Sequence, residues 1–308
     1  MARFLLSRIA QAFVVLFLII TVTFFLVRAA PGSPYSRERN ISPHILAQLE
    51  KQAGLDKPVI VQYGVYIKNL AKGDLMYSSK YEGRRVSSII KGSFPISLKL
   101  GCIALIIALC IGIPIGVFSA TKRNTLGDYL PMSLAMIGIC LPTFVLGPLL
   151  ALFFGIKLGW FNASGWYDPT DWVLPSVTLG LYYAAYIARI ARGGMLEVLG
   201  QDYIRTARAK GVPPLQIVLR HAIRGGLLPV VAYLGPAFAA LVSGSFVIEK
   251  VFSVPGMGQH FIDAAFNSDY TLISGVVIVY GALIVVLNLA VDFLQVVIDP
   301  RLTFANSQ

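Results

Sequence analysis

Six stretches of this chain contain no charged residue: Ile9–Val27, Leu100–Thr121, Tyr129–Ile156, Trp172–Ala188, Gly225–Ile248 and Tyr270–Val291. They run 19, 22, 28, 17, 24 and 22 residues. At a rise of about 1.5 Å per residue, roughly 20 apolar residues cross a hydrocarbon core of about 30 Å. In lipid every backbone polar group must be satisfied by the protein, which leaves helices or closed barrels. Barrel strands are short and alternate in hydropathy, and these runs do neither. The runs therefore predict an all-α membrane protein with six transmembrane helices. Composition agrees, since only 13% of residues are charged, against about 25% in soluble domains. The first run follows a basic "MARFLLSR" and could be read as a secretory signal. It is longer than the usual signal core, which favours a retained span.

The charges between the runs orient them. Arg3, Arg8, Lys122, Arg123, seven basic residues from Arg189 to Arg224, and Arg301 fall on one side. The opposite short loops hold Lys157 and Lys250 beside Asp168, Asp171, Glu249, Asp263 and Asp269. Basic short loops stay cytoplasmic, so both termini are expected inside and the chain is expected to be multi-pass. Arg28 to Lys99 carries twelve basic residues on the outer side; a loop of that length translocates largely regardless of charge. Within it, "PHILAQLEKQAGLDKP" and "VIVQYGVYIKNLAKGDL" read as two short helices of a small extracytoplasmic subdomain. The net charge of +11 thus reads as orientation in membrane lipid, and no nucleic-acid partner is expected.

Within the spans, Gly112, Pro114 and Gly116 interrupt the second, and Pro131, Pro142 and Pro148 the third. Proline bends a helix and small residues let helices approach. Two readings stand: kinked packing, or bent helices that leave a passage and rock. Tyr182, Tyr183 and Tyr186 are expected to line such a path, to pack between spans or to lie at an interface. Cys102, Cys110 and Cys140 have no metal or disulfide spacing, so no metal site is expected, and they read as small packing residues. Asp292, near the end of the last span, is expected to face the bundle or the inner boundary, with Arg301 or water as its partner.

The segment "QDYIRTARAKGVPPLQIVLRHAIRGG" (Gln201–Gly226) is the one basic, soluble-looking stretch between later spans. Asp202 is a candidate N-cap for a helix over Tyr203–Lys210, which Gly211 stops. Pro213 and Pro214 open a second helix. In it Leu215, Val218, Leu219, Ala222 and Ile223 form an apolar stripe, with Gln216, Arg220 and Arg224 opposite. Either the segment merely fixes topology, or its first helix protrudes, with Ala207, Ala209 and Gly211 small enough to enter a partner's groove.

"RTARAKG" (Arg205–Gly211) resembles the EAA loop of ATP-binding-cassette importer permeases, with Thr206 and Ala207 at the small positions and the glycine in register. Arg205 stands for the family's glutamate, and His221, Ile223 and Arg224 alter the downstream part, as in the peptide and nickel branch. "EKVFSVPGMGQ" resembles that branch's motif after the fifth span, through Glu249, Pro255, Gly256 and Gly258. "NLAVDFLQVVIDPR" resembles its closing signature, through Asn288, Asp292, Asp299 and Pro300. "FFLVRAAPGSP" and "KGSFPISLKLG" bring the chain nearest to the oligopeptide permeases, with dipeptide permeases next.

The resemblance implies a type I importer permease in a bacterial inner membrane. Residues 1–93 would hold the first span and the extracytoplasmic subdomain. Residues 94–298 would form the permease core, with a coupling segment at 200–223, and 299–308 a cytoplasmic tail. It implies a homologous second permease subunit, two cytoplasmic ATPases that bind ATP and Mg, and an extracytoplasmic peptide-binding protein. The ATPases would dock on the coupling helix through Tyr203, Arg205, Thr206, Ala207, Arg208, Ala209, Lys210 and Gly211. No catalytic residue is expected, because the chain lacks a G-x-x-x-x-G-K-[ST] phosphate cradle, H-E-x-x-H and G-x-S-x-G. A membrane hydrolase would need a nucleophile–base pair, and Ser243, Ser245 and Asp292 are too little. A secondary transporter would show matching halves or intramembrane ion ligands, and neither is found. A dipeptide or nickel permease is the alternative within the branch.

Overall fold

Each uncharged run closes its backbone hydrogen bonds as helix, the only local solution where no water is present. The computed structural model describes residues 2–29, 54, 56–81, 83–243 and 245–298. Its α-helices of six residues or more are α1 (Ala2–Ala29), α2 (Val59–Ala71), α3 (Val86–Thr121), α4 (Leu126–Cys140), α5 (Thr143–Leu150), α6 (Val173–Leu199), α7 (Asp202–Ala209), α8 (Leu228–Ser243), α9 (Phe246–Val251), α10 (Met257–Phe266) and α11 (Tyr270–Ile298). Among the described residues there is no strand, only an isolated bridge between Tyr77 and Arg85. The expected first outer helix, Asp299, Pro300 and Arg301, and the tail 299–308 lie outside the described residues apart from the end of the first.

Five spans are single stretches, with the fifth continuing from α8 into α9, and the third run is a pair. α4 and the segment Thr143–Lys157, in which α5 runs on as a π-helix over Ala151–Lys157, meet at 101° because Pro142 follows Leu141. A residue before proline is driven from helical to extended backbone, and Leu141 has φ −82° and ψ 116°. Pro131 and Pro148 stay inside their helices. The second and fourth spans are longer than the uncharged runs. α3 begins at Val86, ahead of Lys91 and Lys99, and passes unbroken through residue 93. α6 continues past Arg189 and Arg192 to Leu199. These charged residues lie within the helices and do not end them.

α3 and α6 form the most extensive helix pair, running side by side in the same direction. Ala104, Ala108, Gly112, Gly116 and Ala120 recur every fourth residue on the buried face of α3. A Cβ on Gly112 would stand 2.6 Å from the carbonyl oxygen of Ala184, and one on Gly180 would stand 2.8 Å from Ile107 Cγ2. Small residues at this spacing let backbones touch, which is the main source of attraction between helices in lipid. "GIPIG" is thus a packing seam, despite the proline within it. The cysteines take no part, since all three are exposed on helix surfaces.

α1 lies against α11 and shows Phe13, Val14, Phe17 and Leu18 outward, a lipid-facing surface. Arg8 Nε sits 3.2 Å from Asp292. Among the described residues Asp292 is therefore paired with Arg8, brought from the far end of the sequence by the packing of α1 on α11. At the opposite end α2 stacks on α1 through Thr21 and Tyr63, whose hydroxyls are 2.8 Å apart, and through the rings of Phe24 and Tyr66. In the first turn of α4, Asp128 is buried and bidentate with Arg192 of α6, at 2.6 and 2.7 Å. That pair fixes the near half of the bent third span to the α3–α6 seam.

Candidate functional site

α7 is two turns long and almost wholly exposed, yet it is held firmly. Ile204 is fully buried in a cluster with Ala120 of α3, Met195 of α6, and Ile217 and Ala222. Burying one isoleucine stabilises by about 1.5–3 kcal/mol. The helix starts after Gln201, which has extended backbone, and Asp202 is its first residue, not its cap. Asp202 instead pairs with Arg205 at 3.3 Å on the surface. The helix ends in a Schellman turn: the amide of Val212 donates to Ala207 O at 3.2 Å and that of Gly211 to Arg208 O at 2.9 Å. Gly211 has φ +76°, a left-handed position that costs other L-residues about 1–2 kcal/mol.

The eight residues assigned to the docking segment do not share one face. Arg205, Thr206 and Ala209 are exposed on the side away from the bundle. Tyr203 is half exposed on the flank, and Lys210 and Gly211 form the exposed tip. Ala207 turns inward, half-buried against the cluster of Ile204. Arg208 lines a groove between α7 and α3.

The following stretch departs from the expected stripe. Residues 217–222 form a π-helical turn, whose i→i+5 bonding puts residues five apart on one side. Ile217 and Ala222 are buried as a result, while Leu215 and Leu219 are exposed. A Cβ on Gly226 would meet Met195, and one on Gly194 would meet Gly226 O, so the two glycines mark a close crossing over α6.

The second motif gathers at the opposite end, around Glu249. Its side chain is fully buried and accepts four hydrogen bonds: Ser97 Oγ (2.7 Å), Ser245 Oγ (2.6 Å), and the amides of Gly258 (2.8 Å) and Gln259 (3.2 Å). Ser97 also accepts from the amide of Met257 at 2.8 Å. The glycines of "VPGMG" follow from this wrapping. A Cβ on Gly256 would collide with the Glu249 carboxylate, and one on Gly258 would stand 2.5 Å from Phe246 Cα. Pro255 is the centre of a turn in which Gly256 N donates to Val254 O at 2.8 Å, and its fixed φ suits that turn. Glu249 thus ties α3, α9 and α10 together, and Ser245 is spent on it. Ser243 bonds its own helix at Ala239 O, 2.7 Å. Sequence reasoning picked out Glu249 and the glycines but missed Ser97, whose distance in sequence gives no signal.

A second clamp lies beside it. Asp269 is buried and accepts from the Ser78 hydroxyl, from the amides of Ser79 (3.2 Å) and Lys80 (3.3 Å), and from Leu272 N (3.1 Å). One carboxylate both caps α11 and holds the loop before α3. Asp269→Ala is expected to free that loop while the spans persist. Limited trypsin digestion should then cut at Lys80 or Arg84 several-fold faster than in the parent; an unchanged rate would refute the clamp.

Asn288 lies on α11, as does Asp292, remote from both clamps. Among the described residues no group of acidic, histidine or cysteine side chains could hold a metal ion.

Residues 112–304 match the family described as binding-protein-dependent transport system inner membrane component, and residues 1–100 match its N-terminal companion. The chain is 44% identical to the oligopeptide transport system permease protein OppB of Haemophilus influenzae, over 99% of this chain and all of the relative. It is 45% identical to OppB of Escherichia coli K12, over the same shares. It is 39% identical to the dipeptide transport system permease protein DppB of Bacillus subtilis, over 98% of each. The inward-facing MetNI methionine ABC transporter superposes with a TM-score of 0.60 at 20% identity, over 68% of this chain and 96% of that one. A second crystal form of it gives 0.55 at 21% identity, over 69% and 97%.

Proposed function

Since this chain belongs to the family of binding-protein-dependent transport system inner membrane components, we propose that it forms half of the translocation pathway of an ATP-driven oligopeptide importer. It is a non-catalytic permease subunit. ATP and Mg belong to two cytoplasmic ATPase partners, a homologous second permease chain completes the path, and an extracytoplasmic binding protein delivers peptide. Both termini and α7 are cytoplasmic. Residues 94–298 are the permease core, with 200–223 as its coupling segment, and 1–93 carry the first span and the outer subdomain.

The observation that carries the mechanism is the seat of α7. An exposed helix of two turns is pinned by Ile204 onto the ends of α3 and α6, the two helices of the small-residue seam. A displacement of α7 by an ATPase pair is therefore passed to the seam, and the bundle alternates between openings. Differential contact of the ATPases with the two states supplies the coupling free energy. Glu249 keeps the opposite end of α3 tied to α9 and α10, so that motion at one end is felt at the other.

The outward face sets the test. Ala209→Trp is expected to abolish copurification of the ATPases and to cut peptide uptake at least tenfold, equivalent to about 1.4 kcal/mol of docking. The amount of inserted protein should be unchanged. Peptide-stimulated ATP hydrolysis by the assembled importer in proteoliposomes is the readout. Normal stimulation in the variant would remove α7 from the docking role, and no response of the parent importer to peptide would remove the substrate class.

A further inference from the structure

The groove that Arg208 lines, about 1070 Å³ in volume, runs between the end of α3, the end of α6 and the stretch 212–223. Its floor is apolar and begins at Ile113 and Pro114. These lie eight to nine residues up the helix from Lys122, about 13 Å at helical rise, which is membrane depth. Its mouth carries Lys122, Arg123 and Arg208, and no acidic side chain lines it. Among the described residues none of the three makes an ion pair; the nearby Asp128 is occupied by Arg192. Large apolar side chains stand open along it: Phe118 is 50% exposed, Leu215 68% and Leu219 56%.

We infer that this groove is a binding site for an anionic phospholipid of the inner leaflet, with the headgroup at Lys122, Arg123 and Arg208 and an acyl chain laid along α3 towards Pro114. Basic pockets between helices on the cytoplasmic side attract anionic headgroups, and each nearby Lys or Arg contributes about 1 kcal/mol. A water-soluble ATPase approaching from the cytoplasm cannot occupy a floor at membrane depth. One wall of the groove is the segment that carries α7, so a bound lipid braces the docking helix against α3. The proposal does not rest on peptide being the cargo.

The test uses the assembled importer in nanodiscs of phosphatidylcholine with and without phosphatidylglycerol. The readouts are lipid retained after detergent extraction, by native mass spectrometry, and ATPase activity. The parent should retain phosphatidylglycerol in preference to phosphatidylcholine and should be stimulated by it. The double variant Lys122→Gln/Arg123→Gln should lose roughly thirty-fold in that retention, which is about 2 kcal/mol for two basic residues. It should lose the stimulation and keep its activity in phosphatidylcholine. Val117→Trp, which fills the groove and leaves the charges, should lose retention as well. Equal retention of the two lipids by the parent, or unchanged retention in both variants, would overturn the site. So would crosslinking of a cysteine placed at Phe118 to the second permease chain, which would show a protein as the occupant.

Discussion

Glu249→Ala should be the most damaging single substitution outside the helix seams. It removes the acceptor of two buried hydroxyls and two backbone amides without supplying another. A buried polar group stripped of its partner costs about 1–3 kcal/mol. The Ser245 hydroxyl keeps Val242 O as an acceptor at 3.0 Å, so three such losses, partly relieved by entering water, should total about 3–4 kcal/mol, near the upper end of what single changes do. The apparent melting temperature of the detergent-solubilised protein should fall by roughly 10 °C, and uptake should vanish with the folded fraction. Glu249→Gln keeps one carbonyl oxygen and the side-chain volume, so its loss should be about half. A Glu249→Ala protein as stable as the parent would mean that α9 and α10 are held by packing alone and that the motif has some other purpose.

The second large effect belongs to the α3–α6 seam. Gly116→Leu places a side chain where a Cβ alone would meet Ala188 O, lie 2.7 Å from Ala191 Cβ and 3.0 Å from Arg192 N. Two of these are backbone atoms of a helix and cannot move aside. The helices must separate, which forfeits the contacts of the whole seam. Overpacking of this kind costs about 1–3 kcal/mol or more, so Gly116→Ala should already destabilise measurably and Gly116→Leu should prevent accumulation of folded protein. Gly193, on α6, has nothing within 4 Å of its missing Cβ. Gly193→Ala should be neutral or slightly stabilising, as expected of helix propensity. Yield of monodisperse protein, compared across the three variants, distinguishes a seam from a general sensitivity of glycines. Equal yields would dissolve it.

The spans were legible because their physics is one-dimensional. Twenty apolar residues without charge have one stable fate in lipid, and the run alone declares it. The short helix over 202–209 was legible for a similar reason, since Gly211 and the paired prolines Pro213 and Pro214 are local signals. What depends on neighbours was not. Nothing close to Asp292 in sequence pointed to Arg8, which α1 brings to it from the far end of the chain. Ala207 was placed outward with Ala209, yet the pull of Ile204 turns it inward. Of the stripe expected at a period of 3.6, Val218, Ala222 and Ile223 do turn inward, while the π-turn leaves Leu215 and Leu219 exposed and buries Ile217 in their place.

The sequence by itself determined that this chain spans a membrane, which apolar runs are its spans, and that a short helix stopped by Gly211 stands between two of them. It could do so because solvent preference is a property of each residue and sums along the chain. Only the tertiary structure decided that "GIPIG" is a seam, that Pro142 turns a span by 101°, and that Ser97 serves Glu249 from 152 residues away. Those outcomes depend on which surfaces meet, and contact between distant residues is not written in either one alone.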